Sequence, residues 1–266
     1  MNLRPLVLFP LFACLLTGCF NLTEEYFFNA DKSGRYVATY DLSRMITMTG
    51  KTRQSFEKQR DSLIAIGAPL VIDSSFSLLG REPDSLRRWI KNPALLDKAR
   101  GRMWLDYNKK QMMVQTVFEF RDMAELRLML REWRTYQHVK DSLKAQNPGM
   151  ESASTDLPTG DEFQWVASER LPEIRFDGRN FSMQYHFAPG KNNSDFSDIM
   201  NDDSAFARNM LKSFKYNMII HFPNDVKKMS GEGFTVAGNT ISYKSDFLEM
   251  MKIKDTGLNA EVRLKK

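Results

Sequence analysis

MMVQTVFEFRDM, residues 112–123, changes its period part-way along. From Met112 to Phe118 the side chains alternate as a half-buried strand requires. From Asp122 onward the apolar residues Met123, Leu126, Leu130 and Trp133 recur at three- and four-residue steps, while Glu125, Arg127, Arg131, Glu132 and Arg134 take the other faces. That pattern predicts an amphipathic helix to about Leu143. The junction between strand and helix (an acidic residue, Leu or Phe, two residues, then Met) occurs again. Tyr40-Asp41-Leu42-Ser43-Arg44-Met45 follows the alternating residues 35–40, and Ser245-Asp246-Phe247-Leu248-Glu249-Met250 follows 240–244. Asp195-Phe196-Ser197-Asp198-Ile199 is a looser copy, set apart from its strand by residues 189–194.

A turn signal lies upstream of each junction: Asp31-Lys32-Ser33-Gly34, Asn108-Lys109-Lys110, Asp177-Gly178 and Gly238-Asn239, each between period-2 segments. One hairpin with one helix buries too little apolar surface to stand alone, so the units must share a core. The expected fold is therefore α+β, with antiparallel sheets built from repeated β-hairpin-plus-helix units and helices packed on one face. Residues 43–66 read as a helix interrupted near Gly50, and Asn92-Pro93 as the N-cap and first turn of a short helix. The turn-rich segment 147–160, NPGMESASTDLPTG, divides the chain into an N-terminal half, 19–146, and a C-terminal half, 161–266.

The N-terminus carries an address. Arg4 gives a positive start, and the apolar stretch 6–16 is too short to span a bilayer. It closes on Leu16-Thr17-Gly18-Cys19, which resembles the lipobox of bacterial lipoproteins. The resemblance implies that residues 1–18 are a signal peptide and that Cys19 is acylated, tying the chain to a membrane. The other cysteine, Cys14, would leave with the signal, so the mature body has no thiol for a disulfide, a metal or a nucleophile. A formal net charge of +5, with Lys and Arg scattered among acids, is no nucleic-acid footprint.

Chemistry-bearing motifs are sparse. The three histidines, His138, His186 and His221, stand apart from one another and from helical carboxylate pairs, so no metal or cofactor is expected. In residues 216–222 the alternation puts His221 with Asn217 and Ile219, opposite Tyr216, Met218, Ile220 and Phe222. No nucleophile elbow, phosphate-binding loop or dinucleotide fingerprint occurs. Asp61-Ser62-Leu63, Asp84-Ser85-Leu86, Asp141-Ser142-Leu143 and Asp203-Ser204-Ala205 resemble the O-glycosylation acceptor of exported Bacteroidota proteins, making Ser62, Ser85, Ser142 and Ser204 candidate acceptors. Equally, Asp-Ser pairs suit helix starts and turns.

Residues 216–264 resemble the LppM-type bacterial lipoprotein domain: a strand ending in His221-Phe222-Pro223, then Val226, a strand through Ile241 and Tyr243, a short helical step and a closing strand, 260–264. The resemblance implies an α+β fold associated with lipid or glycolipid binding. The whole chain is similar to Bacteroidota outer-membrane lipoproteins, and Phe20 after the Cys lacks the Asp of the inner-membrane retention signal. Together these imply a non-catalytic, lipid-anchored outer-membrane protein, on the periplasmic or cell-surface face. It would bind an envelope lipid, glycan or protein, or scaffold an envelope complex. A hydrolase of envelope polymers using dispersed carboxylates is the alternative.

Overall fold

Strand β1 (Phe20–Phe28) alternates Leu22, Glu24, Tyr26 and Phe28 on one side with Thr23, Glu25 and Phe27 on the other, and it lies inside the larger sheet. The computed structural model describes residues 20–44, 46, 50–80, 87–146, 172–185, 212–252 and 257–266. The signal segment, Cys19, the 147–160 segment and the junction at Asp195-Ile199 lie outside them.

The remaining strands are β2 (Gly34–Asp41), β3 (Val71–Ser77), β4 (Arg100–Asp106), β5 (Gln111–Phe120), β6 (Glu173–Phe176), β7 (Asn180–Tyr185), β8 (Phe214–His221), β9 (Val226–Ser230), β10 (Phe234–Ala237), β11 (Thr240–Asp246) and β12 (Leu258–Leu264). The helices are α1 (Gly50–Ala65), α2 (Pro93–Leu96), α3 (Met123–Gln146) and α4 (Phe247–Lys252). Eight strands form one sheet in the order β10-β11-β8-β1-β2-β5-β4-β3, and four form another in the order β6-β7-β12-β9. The fold is thus mixed and dominated by sheet.

Each of the four turn signals closes a two-stranded ladder: β1 with β2, β4 with β5, β6 with β7 and β10 with β11. At Asp177 the carboxylate accepts from the Asn180 side chain (2.9 Å) and from the backbone N–H groups of Asn180 and Arg179 (2.7 and 2.8 Å), bonds that hold its pKa down to about 2. Helices α1, α3 and α4 follow β2, β5 and β11, but they are 16, 24 and 6 residues long, so a repeated unit is not evident from the architecture. One expectation is corrected. The large sheet is not wholly antiparallel, because β1 pairs in parallel with β8, Leu22 opposite Tyr216 and Tyr26 opposite Ile220. A parallel pair needs a long crossover, and here the chain between residues 28 and 214 supplies it.

The inner face of the large sheet meets the smaller sheet and the helices. Phe28 lies 4.9 Å from Phe176, 5.7 Å from Phe181 and 6.1 Å from Phe222, ring centre to ring centre. β12 alternates buried and exposed residues without a break, as a strand with one covered face must. Gly34 leaves room for the Phe120 ring, which a Cβ would strike. Helix α1 reaches the sheet through Phe56 on Tyr107, and α3 through Trp133 on Phe118.

Helix α3 differs from its sequence reading in two places. It buries Met123, Leu126, Met129 and Tyr136, with Leu130 and Trp133 half-buried, but Glu125 and Glu132 are also buried rather than on solvent faces. Both acids are satisfied by polar partners that the helical period does not reveal. Glu125 accepts from the Arg121 backbone N–H at 2.7 Å while its own N–H donates to Asp122, a capping arrangement. Glu132 accepts from the Lys91 backbone N–H (3.1 Å) and the Asn92 side chain (2.9 Å). The Asn92 side chain therefore does not cap α2, as its sequence position suggested.

Leu126→Ala should cost about 2–5 kcal/mol, since the site is fully enclosed, while exposed Arg131→Ala should change stability by less than about 0.5 kcal/mol. Urea unfolding of both variants checks the face assignment, and equal midpoints would refute it.

Candidate functional site

The inward side of β1 would be filled by apolar residues alone if it followed the rule of its neighbours, yet its second inward position is Glu24. Ala38 on β2 lies directly opposite and Met218 on β8 flanks it on the other side. Tyr36 and Tyr216 occupy diagonal positions on those two strands, where long side chains reach across a ladder. The Tyr36 hydroxyl donates to Oε1 of Glu24 at 2.5 Å, and the Tyr216 hydroxyl donates to Oε2. Each carboxylate oxygen thus accepts from one phenol, Oε1 from β2 and Oε2 from β8.

Further rings surround this group. Tyr26 lies 4.9 Å from Tyr36, and Tyr185 of the smaller sheet stacks on Tyr216 at 6.3 Å. Burial pushes the Glu24 carboxyl above its usual range, with the two phenol hydrogen bonds pulling the other way. Tyr26, Tyr36 and Tyr216 are held well above the ordinary tyrosine value by burial and then by the Glu24 charge, and Tyr40 is raised for the same reasons. Although burial desolvates its carboxyl, Glu24 as a residue is half-buried, as is Tyr40. The carboxylate is therefore a charged group set among rings on the inward side of the sheet. An aromatic wall with one acceptor-rich group suits a ligand carrying a cation or hydrogen-bond donors.

The outer face of the same sheet carries an open trough of about 1130 Å³ bounded by Asn21, Thr23, Thr39, Lys215, Asn217 and Glu232 among others. Its floor is polar: Asn217 donates to Thr23 at 3.3 Å and Gln115 donates to Thr39 at 3.1 Å.

The residues singled out from sequence do not converge on either place. Cys19, His186, Ser85 and Ser204 lie outside the described residues. Ser62 and Ser142 are exposed on α1 and α3, each hydroxyl donating to the carbonyl four residues back, rather than at helix starts. His138 is exposed on α3. His221 stands on the outer face with Asn217 and Ile219, as the alternation requires, stacked on Phe27 at 4.4 Å with Nδ1 3.1 Å from the Thr240 hydroxyl. Among the described residues no three His, Cys, Asp or Glu side chains gather in a metal-binding group, and no helix is long and apolar enough to cross a membrane. Glu24 was missed by the sequence reading. Its signal was a charged residue on the inward phase of Leu22, Tyr26 and Phe28.

No family model and no curated protein matches this chain. Among solved structures, the chain is similar to the NMR structure of the folded domain of Mycobacterium tuberculosis LppM. The two are 10% identical, with a TM-score of 0.35, over 94% of this chain and 92% of that one.

A group whose folded pKa is raised adds stability below its unfolded value, here near 4.5, and loses it as pH rises through the folded value. Glu24→Gln cannot ionise, so its stability relative to the parent should increase from acid to neutral pH. Urea unfolding across that range reads the difference, and a flat difference would show that Glu24 is not held in this environment.

Proposed function

We propose that this chain is a lipid-anchored envelope protein that acts by binding rather than by catalysis, and that Glu24 is the polar contact for its ligand. The observation carrying this reading is the Glu24 carboxylate held between Tyr36 and Tyr216 on the inward side of the large sheet. Two phenols saturate one lone pair on each oxygen and fix the carboxylate in place, leaving further acceptor capacity directed by the sheet. Aromatic rings and methionine line its surroundings, an adaptable apolar lining around one charge. The ligand that complements this is an amphiphile of the envelope with an ammonium or hydroxyl-bearing headgroup. The lipobox at Leu16-Thr17-Gly18-Cys19 supplies the membrane address, with the outer membrane favoured by Phe20 in place of Asp.

The outer trough supports a second reading. Asn, Thr, Lys and Glu side chains around an open sheet face suit a glycan, which needs many weak polar contacts rather than one buried charge. Envelope hydrolysis through dispersed carboxylates is the less favoured reading, because the hydrogen-bonding partners of Glu24 are tyrosines rather than a second acid.

Native mass spectrometry of the detergent-extracted protein separates these. An amphiphile that co-purifies with the parent and is lost from Glu24→Gln, while Asn217→Ala retains it, supports the interior site. Loss from Asn217→Ala alone moves the site to the trough. Turnover of an envelope polymer by the parent and none by Glu24→Gln would establish the hydrolase. For the address, Cys19→Ser should leave the fold intact and release the protein from membranes, since stable anchoring depends on acyl chains. A variant still wholly in the membrane fraction after high salt would refute the lipobox reading.

A further inference from the structure

Strand β1 begins at Phe20, so no linker separates Cys19 from the interior of the large sheet. One extended residue spans at most about 3.6 Å, so an acyl group on Cys19 holds this end of the sheet against the headgroups. The register shows which residues share that end. Asn21 lies in one row with Asp41, Met113, Trp104 and Asp73. Val71, paired with Asp106, lies two rows beyond Asn21, on the side from which residue 19 enters β1.

Helix α1 finishes at the same end. Gly67, with φ +65°, turns the chain, Ala68 N–H donates to Leu63, and Tyr107 N–H donates to Leu70 beside the β4–β5 turn. Ile64 and Ile66 are left 55% and 77% exposed and Val71 47%, three of the six large apolar side chains exposed among the described residues. A fourth, Met113, sits in the Asn21 row. Isolated surface apolars are ordinary, but these gather at one end of one sheet. Exposed Lys109, 3.7 Å from the Asp106 carboxylate, and exposed Lys212, just before β8 on the far side of β1 from β3, stand at this end too, with the sign that anionic headgroups attract.

We propose that this end of the large sheet, with Ile64, Ile66 and Val71 at its tip, is a bilayer-docking surface that seats the lipid-anchored protein in one fixed orientation. The proposal rests on the reading of Cys19 as acylated. Docking follows from three features together: a tether without slack, apolar tips at the tethered end, and cations at that same end. An apolar tip enters the headgroup boundary, whereas a polar end would hold the bilayer at a distance.

The mature acylated chain has no free thiol, so Ile66→Cys and, at the opposite end of the sheet, Val236→Cys each give a single labelling site. Each variant, labelled with an environment-sensitive fluorophore, is reconstituted in phosphatidylethanolamine–phosphatidylglycerol vesicles. The label at 66 should shift to the blue and resist quenching by iodide, while the label at 236 should behave as in detergent-free buffer. Equal behaviour at both sites, or exposure of both, overturns the proposal. Intact mass reports acylation separately. If Cys19 carries no acyl group, the anchoring reading fails, and the same labels in Cys19→Ser protein mixed with vesicles decide the surface alone: a shift at 66 supports it and none overturns it. Ile64→Ser with Ile66→Ser, both exposed and expected to fold normally by circular dichroism, should abolish the difference between the parent and a detached domain in vesicle contact.

Discussion

A carboxylate on the inward side of a central strand constrains everything built around it. Water cannot solvate Glu24 freely, so protein groups must, and the only donors the sheet can bring to bear come from the strands beside β1. β2 delivers Tyr36 and β8 delivers Tyr216. Both phenols reach Glu24 only if β1 has β2 antiparallel on one side and β8 parallel on the other, in the observed register. A one-residue slip of either neighbour would turn its tyrosine to the outer face and leave the carboxylate unpaired. The polar pair of bonds thus specifies a topology that apolar packing alone would tolerate in several registers.

Local structure was legible from sequence where its cause is local. The turns at Asp31, Asn108, Asp177 and Gly238 depend on residues within the turn, and all four strands-to-turn assignments correspond to ladders. The helix after Asp122 and the closing strand β12 carry their own periods. The parallel pairing of β1 with β8 has no such local mark. Both strands alternate, and alternation says which face is buried without saying which neighbour lies beside it. Glu125 and Glu132 were misplaced for a related reason: a helical wheel sorts residues by polarity, whereas their burial is stabilised by partners on other segments, Arg121 and Lys98 for one, Lys91 and Asn92 for the other.

The candidate site was illegible for the same physical cause in stronger form. Tyr36 stands 12 residues from Glu24 and Tyr216 stands 192 residues away. A search for paired acids or for His spacing on helices looks for groups that act together because they are close along the chain. Here the grouping is made by strand order. What could have been noticed is the break in phase at Glu24, since an ionisable residue between Leu22 and Tyr26 must be either a register error or a group with partners.

The two unusual properties of this chain meet on one strand. β1 enters the sheet directly after Cys19 and carries Glu24 five positions later, about 17 Å along at 3.3 Å per residue. With Cys19 acylated as proposed, the bilayer would lie within about one lipid length of the carboxylate, and a lipid moving from that surface toward the protein would lead with its headgroup, its chains trailing toward the membrane end. Under the proposed anchoring, the strand that positions the charge would also set its distance from the membrane, so one element would couple the address to the candidate site.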